Sequence, residues 1–330
     1  MRILSTVLLL GLALTTASTG FAQATPKHAL LALSKTDHTL AIVDPATLKV
    51  VAKLPVGSDP HEVIGSADGT KAYVTIYGGG TLHEINVLDL AGQKALPTID
   101  TRPLYGPHGI EFVDGKVWFS AEGSKAVGRI DPATGALDWV MGTGQDRTHM
   151  IYVAPGGKRV YTTNITSGTV SILVDTMIRN REEWIHTIVP TARGSEGFDV
   201  SPDGALLWTA ASENGVITII DLVSKQLVTQ LDAHVNGANR LKFTPDGRRV
   251  FVASLSTGEL TVIDAATRKE VKRLKIGRGA AGILMDPQGN RAFVACSADN
   301  YIAIVDLKTL EVTGHLDVGG TPDGLAWAGK

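Results

Sequence analysis

The sequence predicts an all-β fold, a seven-bladed β-propeller closed by one C-terminal strand that joins three N-terminal strands. An apolar strand, an Asp-Gly-type turn, a second strand and a further strand ending in Asp recur about every 43 residues. Each repeat has room for four short strands, which is the content of one propeller blade. The strand-ending aspartates that mark the repeat are Asp44, Asp89, Asp131, Asp221, Asp264 and Asp306.

The two ends of the repeat array are predicted to share one blade. The last inner strand, residues 322–327, is followed by no further strands, whereas residues 29–33, 39–43 and 50–54 form three strands that lack an inner strand. Pairing the first of these with residues 322–327 would close the ring. Closure also removes exposed sheet edges, which otherwise template aggregation.

Residues 1–24 are predicted to be a secretory signal peptide, which leaves residues 25–330 as the propeller. Arg2 supplies a positive start, and residues 3–14 form an apolar run that is too short to span a bilayer as a helix. Ala22-Gln23-Ala24 provides a small-residue cleavage site. We therefore expect an exported protein, periplasmic or secreted, with no membrane span.

The composition argues against a nucleic-acid partner. The chain has 31 Lys and Arg against 33 Asp and Glu, so there is no basic surplus to neutralise phosphates. The single cysteine, Cys296, has no partner for an intramolecular disulfide and is expected to be a small buried residue. We expect a monomer.

The turns of the repeat are predicted to fall on two different faces. The Asp-Gly-type turns and the Asp-Pro-Ala-Thr-type turns are regular, and both kinds lie on one end of an up-and-down blade, the turn face. Loops at the other end vary, as in residues 77–80, 122–125 and 212–214. Function in repeat folds usually lies on this variable face.

Residues 174–183 break the regularity of blade 4. They predict a solvated insertion, or alternatively a partner-docking loop.

One strand position carries the candidate functional residues. It is the start of each inner strand, where the chain enters the central channel from the variable face; we call this end of the channel the channel mouth. In chain order the position holds His61, His108, His149, Glu196, Asn239, Ala281 and Asp323.

Four of these residues are candidate ligands for a divalent metal ion: His61, His108, His149 and Glu196. Imidazole suits zinc, copper, iron and nickel, and three protein ligands with an open position make a catalytic zinc site. Glu196 is also a candidate general base. The alternative is a polar channel lining that holds only water.

Three further residues are candidate contacts for a bound small molecule. Asn239 and Asp323 occupy the same strand position. Arg240 follows Asn239 and is a candidate to hold an anionic group; the alternative is an ordinary surface cation.

The second strands carry a family resemblance. Tyr161-Thr162-Thr163-Asn164, Tyr73-Val74-Thr75 and Phe251-Val252-Ala253, each after a tight turn, resemble the YVTN-repeat β-propellers over essentially the whole chain after residue 24. Residues 106–130 resemble one repeat of the streptogramin lyases. These resemblances imply a propeller fold and, from the second family, metal-assisted chemistry.

Three functions remain open from the sequence. The first is an exported propeller that binds a small ligand or a metal ion at the channel mouth. The second is a metal-dependent hydrolase or lyase acting on a lactone or another cyclic ester. The third is a scaffold that docks another exported protein on its variable face.

Overall fold

A computed structural model describes residues 23–329, and these residues form seven four-stranded antiparallel sheets arranged as blades around a ring. The inner strand of each blade contacts the inner strand of the next, and the strand of the last blade returns to the first. The predicted fold class, a seven-bladed β-propeller, is confirmed. The predicted signal peptide, residues 1–24, lies outside the described residues except for its last two positions.

The blades are numbered from the one that contains both ends of the array, and each is given with its inner strand first. Blade 1 contains β28 (Pro322–Ala328), β1 (Ala29–Ser34), β2 (Thr39–Asp44) and β3 (Lys49–Pro55). Blade 2 contains β4 (Pro60–Gly65), β5 (Lys71–Ile76), β6 (Glu84–Asp89) and β7 (Lys94–Asp100). Blade 3 contains β8 (Pro107–Val113), β9 (Lys116–Ala121), β10 (Ala126–Asp131) and β11 (Ala136–Gly142). Blade 4 contains β12 (Thr148–Val153), β13 (Arg159–Asn164), β14 (Thr169–Ile178) and β15 (Arg181–Pro190).

The remaining three blades follow the same order. Blade 5 contains β16 (Ser195–Val200), β17 (Leu206–Ala211), β18 (Val216–Asp221) and β19 (Gln226–Asp232). Blade 6 contains β20 (Ala238–Phe243), β21 (Arg249–Ser254), β22 (Glu259–Asp264) and β23 (Glu270–Lys275). Blade 7 contains β24 (Ala280–Met285), β25 (Arg291–Cys296), β26 (Tyr301–Asp306) and β27 (Glu311–Leu316). Two short 3-10 turns, Gly78–Gly80 and Glu122–Ser124, lie on the variable face.

Blade 1 closes the ring as the sequence predicts. Strand β28 pairs antiparallel with β1, with Leu30 opposite Trp327 and Leu31 opposite Ala326. The Trp327 indole N–H donates to the Met285 carbonyl of blade 7 at 2.8 Å, which ties the closing strand to the neighbouring blade. The inner strand of this blade therefore comes from the opposite end of the chain to its other three strands.

The core lies between successive blades, where the two faces of each sheet pack on their neighbours. Leu31, Leu33 and Ile42 of blade 1, for example, form one cluster with Val74 and Ile76 of blade 2, and all five are buried. Strands β2 and β5 are buried along nearly their whole length because both of their faces are covered. Cys296 is buried in the cluster between blades 6 and 7, as expected.

The Asp-Gly turns are built by local hydrogen bonds. Asp68 accepts bonds from the Ser66 hydroxyl at 2.6 Å and the Thr70 backbone N–H at 3.0 Å. Gly69 then has a φ of 70°, a region that glycine enters without steric cost. Asp203 and Asp246 make the same kind of local bonds in their turns, which explains these aspartates without a role at the channel mouth.

The irregular segment of blade 4 forms a regular hairpin. Strands β14 and β15 each extend to ten residues and pair out to Ile178 opposite Arg181. Arg179 and Asn180 make the two-residue turn with φ of 50° and 63°. Residues 174–183 therefore lengthen the two outer strands of the blade, and Met177 near the tip is 62% exposed.

Within residues 23–329, no helix is long and apolar enough to cross a membrane.

Candidate functional site at the channel mouth

Inner strands approach one another closely where they enter the channel mouth, and glycines make this possible. A Cβ on Gly109 would lie 2.8 Å from the backbone nitrogen of Ile151, and one on Gly324 would lie 2.5 Å from the His61 carbonyl oxygen. Real side chains do not tolerate such distances. The glycines that follow His108 and Asp323 therefore allow these inner strands to approach the neighbouring strand closely.

Hydroxyl groups on the second strands fix the backbone at the same level. Thr75 of blade 2 donates to the His108 carbonyl of blade 3 at 2.7 Å, and Thr163 of blade 4 donates to the Glu196 carbonyl of blade 5 at 2.7 Å. The Ser120 hydroxyl bonds the His149 carbonyl in the same way. Blades 2, 3 and 4 thus each position the candidate residue of the next blade.

The structure brings the three predicted histidines together in a row. The ring centroids of His61 and His108 are 4.7 Å apart, and those of His108 and His149 are 3.7 Å apart. Tyr77, from the loop between β5 and β6, packs its ring edge-on to both His61 and His108. The shared strand position correctly predicted this convergence.

His149 lies between two carboxylates. Its Nδ1 is 2.6 Å from Glu122, and its Nε2 is 3.5 Å from Glu196. Burial opposes the charged form, but the interactions with Glu122 and Glu196 outweigh it and raise the pKa of His149 above its ordinary value. The two carboxylates, one near each ring nitrogen, therefore favour the protonated form of His149.

Glu122 is the centre of a small hydrogen-bond network that the sequence did not predict. The Tyr77 hydroxyl donates to it at 2.6 Å, and the Arg147 guanidinium donates at 3.2 Å. Burial would raise the pKa of Glu122, but the bonds from His149 and Tyr77 hold it at about 2. Glu122 therefore stays ionised and orients His149.

His108 is the most enclosed of the three rings. It is 1% exposed, and its Nδ1 has no hydrogen-bond partner among residues 23–329. Burial, reinforced by the positive charge of His149, moves the pKa of His108 well below its ordinary value. The ring is therefore neutral, and it retains an unsatisfied polar atom of the kind that native proteins rarely leave buried.

His61 is surrounded by charged groups from the variable face. Its Nε2 is 2.9 Å from Asp59 and 2.8 Å from the Lys35 ammonium, and its Nδ1 is 3.9 Å from Asp323. Lys35 also contacts Asp323 at 3.4 Å. Burial and the Lys35 charge lower the pKa of His61, so this ring is also neutral near pH 7.

Arg240 is held inside the channel and is not a surface cation. Its guanidinium pairs with Glu62 and with Glu196, the latter at 3.1 Å. Asn239 donates to the same Glu196 oxygen at 2.6 Å. The Coulombic attraction of Glu62 and Glu196 raises the pKa of Arg240 despite its burial. Burial also raises the pKa of Glu62.

The predicted metal ligands are close together but do not converge as a coordination shell. Within residues 23–329, no group of three or more His, Cys, Asp or Glu side chains is arranged to hold a metal ion. Both nitrogens of His149 face carboxylates, and Glu196 is already bonded to Asn239 and Arg240. This donor set holds protons, so it does not fit a divalent ion. Metal binding stays a prediction that the observed arrangement does not favour.

Sequence reasoning missed the groups that surround the histidines. They come from loops or, for one of them, from the residue after the strand position that the histidines share: Lys35, Asp59, Glu62, Tyr77, Glu122 and Arg147. A usable signal was present for Glu62, which follows His61 in the same way that Arg240 follows Asn239. Ala281 is the apolar residue at the strand position that the histidines share, and its side chain has no polar role.

Together, the fold and the site define the class of protein as a seven-bladed β-propeller with a buried polar cluster at one end of its channel. No family model matches the chain, and no curated protein matches it. The family resemblance to the YVTN propellers therefore stays a prediction.

Solved structures share the fold. The chain is similar to a protein of unknown function from Desulfotomaculum acetoxidans (13% identity, 91% of this chain and 99% of that chain, TM-score 0.74). It is also similar to a proposed 6-phosphogluconolactonase from Bacteroides uniformis (14%, 92% and 100%, TM-score 0.72). A third is hydrazine synthase from Kuenenia stuttgartiensis (18%, 81% and 89%, TM-score 0.68). Likeness at these identities concerns the fold alone.

Proposed function

We propose that the protein is an exported binding protein whose channel mouth holds one small polar molecule. The observation that carries this proposal is the buried Nδ1 of His108, which lacks a partner in the middle of an otherwise bonded cluster. An unsatisfied buried nitrogen costs about 1–3 kcal/mol. Because this nitrogen is fully covered, a ligand that supplied the missing hydrogen bond would first have to displace a neighbouring side chain, and it would then recover that free energy on binding.

The charges around the mouth indicate the chemistry of the ligand. The positive groups are nearly matched by carboxylates, so neither a strong anion nor a strong cation finds a surplus of opposite charge. The positive groups are Lys35, Arg147, His149 and Arg240, and the carboxylates are Asp59, Glu62, Glu122, Glu196 and Asp323. We infer an uncharged or zwitterionic ligand with several hydrogen-bonding groups, such as a polyol or an amino acid.

A thermal-shift panel tests the proposal. Purified protein would be melted with neutral polyols, zwitterionic amino acids, dicarboxylates or Zn²⁺, because a ligand that binds only the folded state raises the melting temperature. We expect a neutral or zwitterionic compound to act, and His108→Leu to lose that shift. Stabilisation by dicarboxylates or Zn²⁺ alone would reject this ligand class, and Zn²⁺ would revive the metal prediction. A panel without any hit would count against a ligand site.

A second candidate function is a hydrolase or lyase acting on a lactone or another cyclic ester. The observation that favours it is the Glu122–His149–Glu196 array, because a protonated imidazole held between carboxylates is equipped to donate a proton to a leaving oxygen. Acid release from δ-gluconolactone, followed with a pH indicator, would test it. The parent protein should exceed His149→Gln by at least tenfold; equal rates would eliminate this candidate.

Export and a monomeric state complete the proposal. The candidate signal segment supports export, and N-terminal sequencing of protein from the producing cell would test it by finding a start near Thr25. Size-exclusion chromatography with light scattering would test the monomer.

Docking of another exported protein on the variable face is the remaining alternative. A partner that is pulled down by the parent protein, but not by variants with substitutions in the variable-face loops, would favour it.

A further inference from the structure

A second compartment lies on the opposite side of the Arg240–Glu62 ion pair. It is a cavity of about 610 Å³ within the central channel, and inner strands from all seven blades line it. Glu62 and Arg240 border it, whereas none of the three mouth histidines does. Its other lining residues run toward the turn face, as far as Ala67 and Pro287. We call it the lower cavity.

The walls of the lower cavity are largely apolar and aromatic. The residues concerned are only partly buried although they belong to inner strands, because their free surface faces the cavity instead of a neighbouring blade. They are Ile64, Phe112, Tyr152, Leu284, Leu325 and Trp327. A volume of about 300–1,000 Å³ with such walls is typical of sites for small organic molecules.

Both cations that line the lower cavity lie beside carboxylates. Arg240 bonds Glu62 at its upper boundary, and Lys242 lies 3.3 Å from Asp199. Burial would lower the pKa of Lys242, but the Coulombic attraction of Asp199 and of Glu111, which also lines the cavity, raises it, so the charge of Lys242 is retained at neutral pH. A charged ligand would have to compete with these existing pairs. An uncharged ligand gains the apolar contacts without that cost.

An aromatic pair forms part of the cavity wall. His28 stacks on Trp327 with ring centroids 4.6 Å apart and an interplanar angle of 12°. His28 Nδ1 bonds the Gly329 carbonyl at 2.9 Å, and the Trp327 indole bonds Met285. Both rings are thus fixed by hydrogen bonds, so this part of the wall is preformed.

We propose that the lower cavity is a second binding site, which takes an uncharged and mainly apolar small molecule. A ring system or a short hydrocarbon part would lie against Phe112, Tyr152 and Trp327. The ion pair borders the cavity on the side of the channel mouth, and seven inner strands surround it, so a volume of about 610 Å³ suits a small molecule better than a protein segment. This inference is independent of the ligand proposed for the channel mouth.

Fluorescence titration with N-phenyl-1-naphthylamine, an uncharged apolar dye, tests the site in the full chain. We expect saturable enhancement with about one dye per chain. Leu284→Trp places a larger side chain into the cavity and should weaken binding at least tenfold. Leu227→Trp makes the same change on an outer strand, where Leu227 is 48% exposed, and should bind as the parent does. Ile64→Trp replaces Leu284→Trp if that variant does not fold by circular dichroism.

Three results would overturn the proposal. They are an absence of saturable binding, equal binding by the parent and the folded Trp variant, and equal affinity for the anionic dye 1-anilinonaphthalene-8-sulfonate. The third result would reject the assignment to uncharged ligands. The triple change of His61, His108 and His149 to Ala should leave dye binding intact, so a failure of the mouth site and a failure of the lower cavity give different outcomes.

Discussion

Glu62 and Arg240 form an ion pair across the central channel, although the chain separates them by 178 positions. Glu62 belongs to blade 2 and Arg240 to blade 6, and at least three blade steps separate them in either direction around the ring. Both side chains are almost completely buried, at 13% and 8% exposure. The pair lies between the histidines of the channel mouth and the lower cavity, which both residues line.

Arg240→Met should destabilise the protein strongly. The change leaves Glu62 and Glu196 buried without their cation, and breaking a buried ion pair from one side costs about 3–5 kcal/mol. Urea denaturation followed by circular dichroism measures the free energy of unfolding. Arg248→Met, at an 84% exposed position beside Asp246, is the matched control and should change stability by less than about 0.5 kcal/mol.

The double variant Arg240→Met with Glu62→Gln should be more stable than Arg240→Met alone, because it also removes one stranded carboxylate. A double-mutant cycle over the two positions isolates their coupling. Additive effects would contradict the direct pairing.

Glu122→Gln should lower the pKa of His149 and destabilise the fold by about 1–3 kcal/mol. The amide keeps the shape but removes the charge that holds His149 protonated and bonds Arg147 and Tyr77. NMR titration of the His149 ring protons follows the pKa. Glu213→Gln, at an exposed residue paired weakly with Arg193, serves as the control and should leave the titration unchanged.

His149 and His108 should give opposite pH signatures. The pKa of His149 is raised in the folded state, so its stabilisation is complete below the unfolded value of about 6.5 and fades as pH rises through the folded pKa. The stability deficit of His149→Gln should therefore shrink at alkaline pH.

The pKa of His108 is lowered in the folded state, so the parent should lose stability as pH falls below about 6.5. His108→Gln should relieve part of that loss. Unfolding free energies between pH 4.5 and 9 check both signs; parallel curves for the parent and the two variants would contradict the assigned charge states.

Removing the closing strand should abolish soluble monomer. Deletion from Thr321 onward leaves β1 without its partner β28 and exposes a sheet edge. Deletion of Lys330 alone is the control and should melt as the parent does. Light scattering and thermal melting make the measurement, and a truncated protein with the parent's melting temperature would contradict the role of closure.

The repeat predicted the blades, the closure and the convergence of the histidines because these follow from a period in the chain. A residue's place in the period fixes its place in the ring, so His61, His108 and His149 had to meet at one level. Their charge states were not predictable in this way. They depend on Glu122 and Lys35, which lie on variable loops where no period applies.

Arg240 is a clearer example of an interaction that the repeat period does not predict. Its neighbour Asn239 was placed correctly at the mouth, yet an arginine reaches several ångströms from its own backbone. Only the three-dimensional arrangement shows that it crosses the channel to Glu62 and does not lie open to a ligand at the surface. The lower cavity was not predicted for a related reason. Its walls are apolar residues, and in the sequence they cannot be distinguished from residues of the core between blades.

The central claim is that the three histidines at the channel mouth form a ligand site. Isothermal titration calorimetry with the compound that gives the largest thermal shift tests it most directly. The parent protein should bind one molecule per chain, and the triple change of His61, His108 and His149 to Ala should bind at least 100-fold more weakly while retaining its circular dichroism spectrum. Changing His38 and His234, exposed histidines on variable-face loops, should leave affinity unchanged. Undiminished binding by the triple variant would show that the histidine row is only a polar lining of the channel.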